Sequence, residues 1–120
     1  MTEIIHYIDS TQKDRFNENL ERIKDKKAQV AIIRWLMRVE LSNNFGDYKY
    51  LRDGVSELRI DVGKGYRVYY AHEGKEIILL LCCGNKRAQN DDIDTACEYL
   101  KEWKNIDDKE KERRNESEIT

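Results

Sequence analysis

Gly54-Val-Ser-Glu-Leu-Arg-Ile-Asp-Val-Gly-Lys-Gly-Tyr-Arg-Val-Tyr-Tyr70 is the stretch that decides the fold. Ser56, Leu58, Ile60 and Val62 alternate with Glu57, Arg59 and Asp61, the period-two pattern of a strand with one face on a core. Gly63-Lys64-Gly65 then supplies a short loop that tolerates positive φ, so the segment reads as a hairpin. Pairing Val62 with Tyr66 would set Asp61 opposite Arg67 and Arg59 opposite Tyr69, all on the face away from the core.

Toward the C-terminus, a turn at Glu73-Gly74-Lys75 leads into Ile77-Ile-Leu-Leu-Leu-Cys82, a continuous apolar run that implies a strand buried on both faces. Its end delivers Lys86 and Arg87. A helix is expected from Asn90 or Asp91, whose acids favour the positive end of the helix dipole, with Ile93, Ala96, Cys97, Leu100 and Trp103 on its buried stripe. After Ile106 the amphipathic pattern stops. Residues 107–120 are almost wholly charged and are expected to be a frayed helix or a disordered tail on a single domain spanning residues 1–106.

Toward the N-terminus, residues 42–47 (Ser-Asn-Asn-Phe-Gly-Asp) form a turn-rich break. Before it, a helix from Ala28 to Leu41 is apolar nearly all round, interrupted mainly by Arg34 and Arg38, so it needs cover on more than one side. Ile4 to Ile8 reads as a strand, and Asp9 or Ser10 as the cap of a first helix carrying Phe16, Leu20 and Ile23. The sum is an α+β domain: a strand, a helix hairpin packed on a mainly antiparallel sheet, and a C-terminal helix.

The formal charge of −2 hides a division. Residues 105–120 hold six acids and four bases, and the other 104 residues hold 18 of each. Affinity for nucleic acid must therefore come from a local patch. No apolar run reaches the ~18 residues needed to span a bilayer, and the first residues lack a signal-peptide layout, so a cytoplasmic location is expected. Cys82, Cys83 and Cys97 are few and scattered, which suits reduced packing cysteines. With His6 and His72 in no ligand-like cluster, neither a metal nor a cofactor is expected.

Three segments, Gly-Val-Ser-Glu-Leu-Arg-Ile (54–60), Gly-Tyr-Arg-Val-Tyr-Tyr (65–70) and Cys-Gly-Asn-Lys-Arg-Ala-Gln (83–89), resemble the small bacterial toxins of the RelE/ParE superfamily, and most closely the phage-derived, HigB-like (Gp49-like) addiction-module killer branch. The resemblance spans roughly Ile4 to Trp103. It implies the toxin of a type II toxin–antitoxin module, an endoribonuclease that cuts mRNA on the ribosome and is held inactive by a separately encoded antitoxin, a helix-turn-helix protein. Carried over by position, Arg59, Arg67 and Lys86 match cations that bind phosphate or stabilise the transition state, and Tyr69 would orient a base or donate a proton. Cys83 and Asn85 depart from the glycine and aspartate usual in the loop before Lys86.

Lys49 and Arg52, beside Tyr48 and Tyr50, read as a basic, aromatic loop that could grip RNA together with Arg87. The alternatives are a ParE-like protein that inhibits DNA gyrase by binding alone, and a degenerate homologue that mainly binds its antitoxin. Arg59 and Arg67 also have a plain reading as cross-strand partners of Glu57 and Asp61.

Overall fold

The computed structural model describes the backbone of residues 1–119 and side chains through residue 116. In chain order the elements are β1 (Glu3–His6), α1 (Arg15–Arg22), α2 (Lys26–Ser42), β2 (Tyr48–Arg52), β3 (Val55–Ile60), β4 (Tyr66–His72), β5 (Ile77–Asn85), a 3₁₀ turn at Lys86–Ala88, α3 (Gln89–Lys104) and α4 (Asp108–Ile119). The five strands form one sheet in the order β1-β5-β4-β3-β2, with β1 parallel to β5 and every other pair antiparallel. This is an α+β architecture with helices on both faces. No helix among the described residues is long and apolar enough to cross a membrane.

Two apolar clusters sandwich the sheet. On one face Phe16 of α1 and Ala28, Ile32 and Val39 of α2 meet Leu58, Ile60, Val68, Tyr70, Ile78 and Leu80. On the other, Ala96, Leu100 and Trp103 of α3 meet Val55, Ala71, Leu79 and Leu81. The face of β3 expected to be solvated is therefore roofed by α3, and Glu57 is fully buried. A bulge in β5 opposite Tyr69 and Tyr70 sends both Leu81 and Cys82 toward α3 before the alternation resumes. Cys82 and Cys83 thus face opposite sides, as the sequence suggested, and burial pushes the Cys83 thiol up to about 12.

Several local expectations are corrected. Ile60, not Val62, pairs with Tyr66, so the β3–β4 loop holds residues 61–65 and Arg59 lies opposite Arg67. The shift is by two residues, which changes neighbours and preserves faces. Tyr48–Arg52 is an edge strand rather than a loop; Asp53 and Gly54, at φ 52° and 86°, turn it into β3 as a two-residue hairpin. The cap of α1 is Asp14, which accepts from Asn17 N at 3.0 Å. Asp9 instead ties the preceding loop, accepting from Thr11, Lys13 and Arg15. Burial alone would raise its carboxyl, but those hydrogen bonds prevail and hold it at about 2.

The charged tail segment is helical over Asp108–Ile119 and is docked on the domain. Buried Arg114 donates to the Ile8 carbonyl at 3.2 Å, to Glu102 at 2.6 Å and to Glu110 at 2.8 Å. These ion pairs supply what an apolar stripe would otherwise provide, which is why hydrophobic periodicity was silent there. Finally, α2 covers only one of its two apolar sides: Val30, Ile33, Met37 and Leu41 stay exposed.

Candidate functional site

Side chains directly opposed across an antiparallel pair share a face, so the register groups the polar residues into two adjacent rows. One row runs Lys49, Glu57, Tyr69, Cys82 and the next runs Arg59, Arg67, Gly84. Both lie on the α3 side of the sheet, and Gln89 and Asp92 at the start of α3 close over them.

Glu57 organises the rows. Its Oε1 accepts from Arg59 Nε at 3.2 Å, and its Oε2 accepts from Gln89 Nε2 at 3.1 Å and lies 3.6 Å from Arg67 Nε. A fully buried carboxylate requires such compensation, and two arginines and an amide provide it. Arg67 is itself buried and donates from Nη1 to the Tyr66 carbonyl at 3.1 Å. Arg59 is different, because a third of its side chain reaches solvent. The plain reading of both arginines as ion-pair partners of Glu57 holds in geometry; Asp61 takes no part in it.

Tyr69 is also fully buried, and its hydroxyl makes no hydrogen bond. Burial, reinforced by Asp92, Glu57 and Cys82, pushes the phenol upward against the pull of Arg67. It therefore stays protonated and out of reach of a molecule bound at the surface.

Beyond this covered layer, the β3–β4 loop and the end of β5 are joined by a main-chain hydrogen bond from Lys86 N to the Gly65 carbonyl at 3.0 Å. The Lys86 stem packs beside Gly65, whose φ is 85°. Asn85 caps the 3₁₀ turn, accepting from Arg87 N at 3.0 Å and Ala88 N at 3.3 Å. The amide so performs the capping that an aspartate would, without its charge.

The result is a groove of about 550 Å³ lined by Lys64, Asn85, Lys86 and Arg87. Lys64 and Asn85 also border a neighbouring groove of about 730 Å³, between the end of α1 and the end of β5, where Asn19, Tyr66 and Asp92 lie. Lys64 is not singled out by the sequence, because Gly63-Lys64-Gly65 is too short for a phosphate-binding loop and opens a strand instead of a helix; its role as a third cation depends on the contact that folds the loop onto β5. Lys49 projects from the exposed edge strand in the Glu57 row. Arg52 does not join the cluster: it sits at the opposite end of the sheet, paired with Asp53 at 2.8 Å and with Asp94. Among the described residues, no group of three or more His, Cys, Asp or Glu converges as a metal site would require.

A protein of Haemophilus influenzae described as uncharacterized is 41% identical over 81 residues, a stretch covering 68% of this chain and 81% of that protein. The description "Phage derived protein Gp49-like (DUF891)" matches residues 8–101, which include the α1–α2 hairpin, strands β2 to β5, the basic groove and nearly all of α3. With so much of the domain matched, the chain belongs to the phage-derived Gp49-like protein family.

Proposed function

We propose that this chain is the toxin of a type II toxin–antitoxin module of RelE/ParE type, a cytoplasmic endoribonuclease that cuts translated mRNA at the ribosome. The family to which it belongs is toxin-like. The observation that carries the nuclease reading is the convergence of Lys64, Lys86 and Arg87 on one groove in a domain whose bulk charge is neutral. Three cations at one place give a local phosphate-binding potential that net charge does not.

In this reading the ribose 2′ oxygen attacks the adjacent phosphorus, the bond from phosphorus to the 5′ oxygen breaks, and the products are a 2′,3′-cyclic phosphate and a 5′ hydroxyl. The 2′ proton goes to a base, and the leaving oxygen takes a proton from an acid. Lys86, exposed at the groove, binds the phosphate, offsets the charge that builds on the phosphorane and donates the proton. Lys64 and Arg87 position the flanking backbone. Arg59, two strand spacings or about 10 Å from Gly84, meets the RNA from the same end of the sheet. Arg67 and Tyr69 support the site from beneath, through Glu57 and the start of α3, rather than touching RNA. Lys49 extends the basic surface along the edge strand.

The test is brief induction in cells with transcript 5′ ends mapped, using Lys86→Ala and Lys64→Ala as controls. Cuts within translated codons that vanish in the Lys86 variant are the expected result. DNA damage with intact transcripts would replace this reading with the gyrase-binding one, and growth unaffected by induction would replace it with that of a homologue that only binds its antitoxin.

A further inference from the structure

Helix α2 is apolar on two opposite sides. Ala28, Ile32 and Val39 face the core, whereas Val30, Ile33, Met37 and Leu41 are 50, 46, 54 and 65% exposed. Their spacing of three, four and four residues puts these four on a single stripe about 16 Å long. Ile33 and Met37 also wall a groove of about 330 Å³ against Ile4, Phe16 and Leu20, so the stripe borders a concave apolar seat. Folded chains seldom leave such a contiguous row to solvent without a use for it.

Charge says what kind of surface fits. Along one flank of the stripe run Lys27, Arg34 and Arg38, all exposed, and Lys26 stands at its N-terminal end; Glu40 is the helix's single acid. A second copy of the chain would bring the same excess of cations against itself, which is unfavourable. A lipid surface would cover the stripe without setting a fixed side chain into the groove of about 330 Å³ beside it.

We propose that the α2 stripe seats an amphipathic α-helix of a partner protein, with its apolar seam on Val30, Ile33, Met37 and Leu41, one large side chain in the groove, and acidic residues along the flank that meets Lys27, Arg34 and Arg38. This is recognition of a helix by anchors at helical spacing. The inference goes beyond the nuclease reading and stands without it, since none of these residues belongs to the basic groove.

The probe is a synthetic amphipathic peptide with leucines at helical spacing and glutamates along one flank, titrated into the full chain beside a version carrying lysines in place of the glutamates. The glutamate peptide is expected to bind and to shift α2 amide resonances, and Met37→Asp to weaken it by at least about tenfold without altering thermal stability. Arg34→Glu should weaken the glutamate peptide and strengthen the lysine peptide. Equal binding of the two peptides, binding indifferent to Met37→Asp, or no binding at about 1 mM overturns the proposal. Sedimentation showing a dimer that Met37→Asp disperses would assign the stripe to a second copy instead. Loss of phosphatidylserine-vesicle binding in that variant would assign it to lipid, and either result overturns the proposal.

Discussion

Asp92 occupies the space that a side chain on Gly84 would need: a β-carbon at residue 84 would overlap Asp92 Oδ2. That oxygen is buried without a hydrogen-bond partner, and burial, with Asp91 nearby, raises the carboxyl. A carboxyl whose folded pKa is raised costs stability as pH rises through that value, because the unfolded chain gives up the proton more readily. Asp92→Asn should therefore stabilise the protein at neutral pH, with a gain that shrinks as the solution is acidified toward the carboxylate range. Urea denaturation across pH checks the sign. Gly84→Ala should push aside the Asp92 carboxyl, whose Oδ2 no hydrogen bond holds in place, and cost about 1 kcal/mol or less.

Glu57 and Arg59 should separate stability from activity. Glu57→Ala strands Arg67 in the interior, and a loss of about 3–5 kcal/mol is expected in denaturant unfolding. Arg59 is the partly solvated partner, so water can reach the place it vacates at Glu57 Oε1, and Arg59→Ala should cost about 1–3 kcal/mol, less than Glu57→Ala, while reducing transcript cutting in cells. A stability loss in the Arg59 variant as large as that of Glu57→Ala would make that residue a structural ion-pair member instead.

The three groove cations make a prediction about salt. On single-stranded RNA each phosphate contact contributes about 0.7 to the slope of log affinity against log salt. Lys64→Ala, Lys86→Ala and Arg87→Ala should each flatten that slope by about this amount, whereas Arg52→Ala, at the far end of the sheet, should leave it unchanged. Filter binding or anisotropy with a short single-stranded RNA gives the comparison directly.

Strands β1, β3, β4 and β5 were legible because alternation and continuous apolar runs report burial on a sheet, and a register error of two residues keeps every side chain on its own face. The partners were less legible: Arg59 faces Arg67 rather than Tyr69, because the loop spans residues 61–65 and closes on its own turn, Gly65 N to the Val62 carbonyl at 3.0 Å, and alternation alone does not say where a hairpin turns. Lys64 escaped notice because its loop meets Lys86 and Arg87 only through a contact between segments far apart in sequence. Asp53-Gly54 carried a recognisable hairpin signal that would have identified β2 and moved Arg52 out of the RNA-binding group. Nothing in local sequence told that Tyr69 and Arg67 would be covered, because their cover comes from α3, more than twenty residues later.

Helix α4 offers a test of how a charged segment contributes to a fold. Arg114→Ala removes hydrogen bonds to Glu102, Glu110 and the Ile8 carbonyl, and a loss of about 1.5–3 kcal/mol is expected. Arg113, more than half exposed and paired with the same Glu110, should change stability by less than about 0.5 kcal/mol when truncated. Parallel thermal melts of the two variants decide whether α4 is docked by the one arginine.

The outer strand β2 has a wider consequence. An unpaired sheet edge is a template on which identical chains can stack, and this one carries exposed Tyr48 and Tyr50, side chains that favour such stacking. It also carries Lys49, only five residues of length and a register irregularity between Tyr50 and Arg52. Repulsion between lysines and a kinked backbone make this edge a poor mould for its own copy, so stacking through β2 is disfavoured despite its two exposed tyrosines.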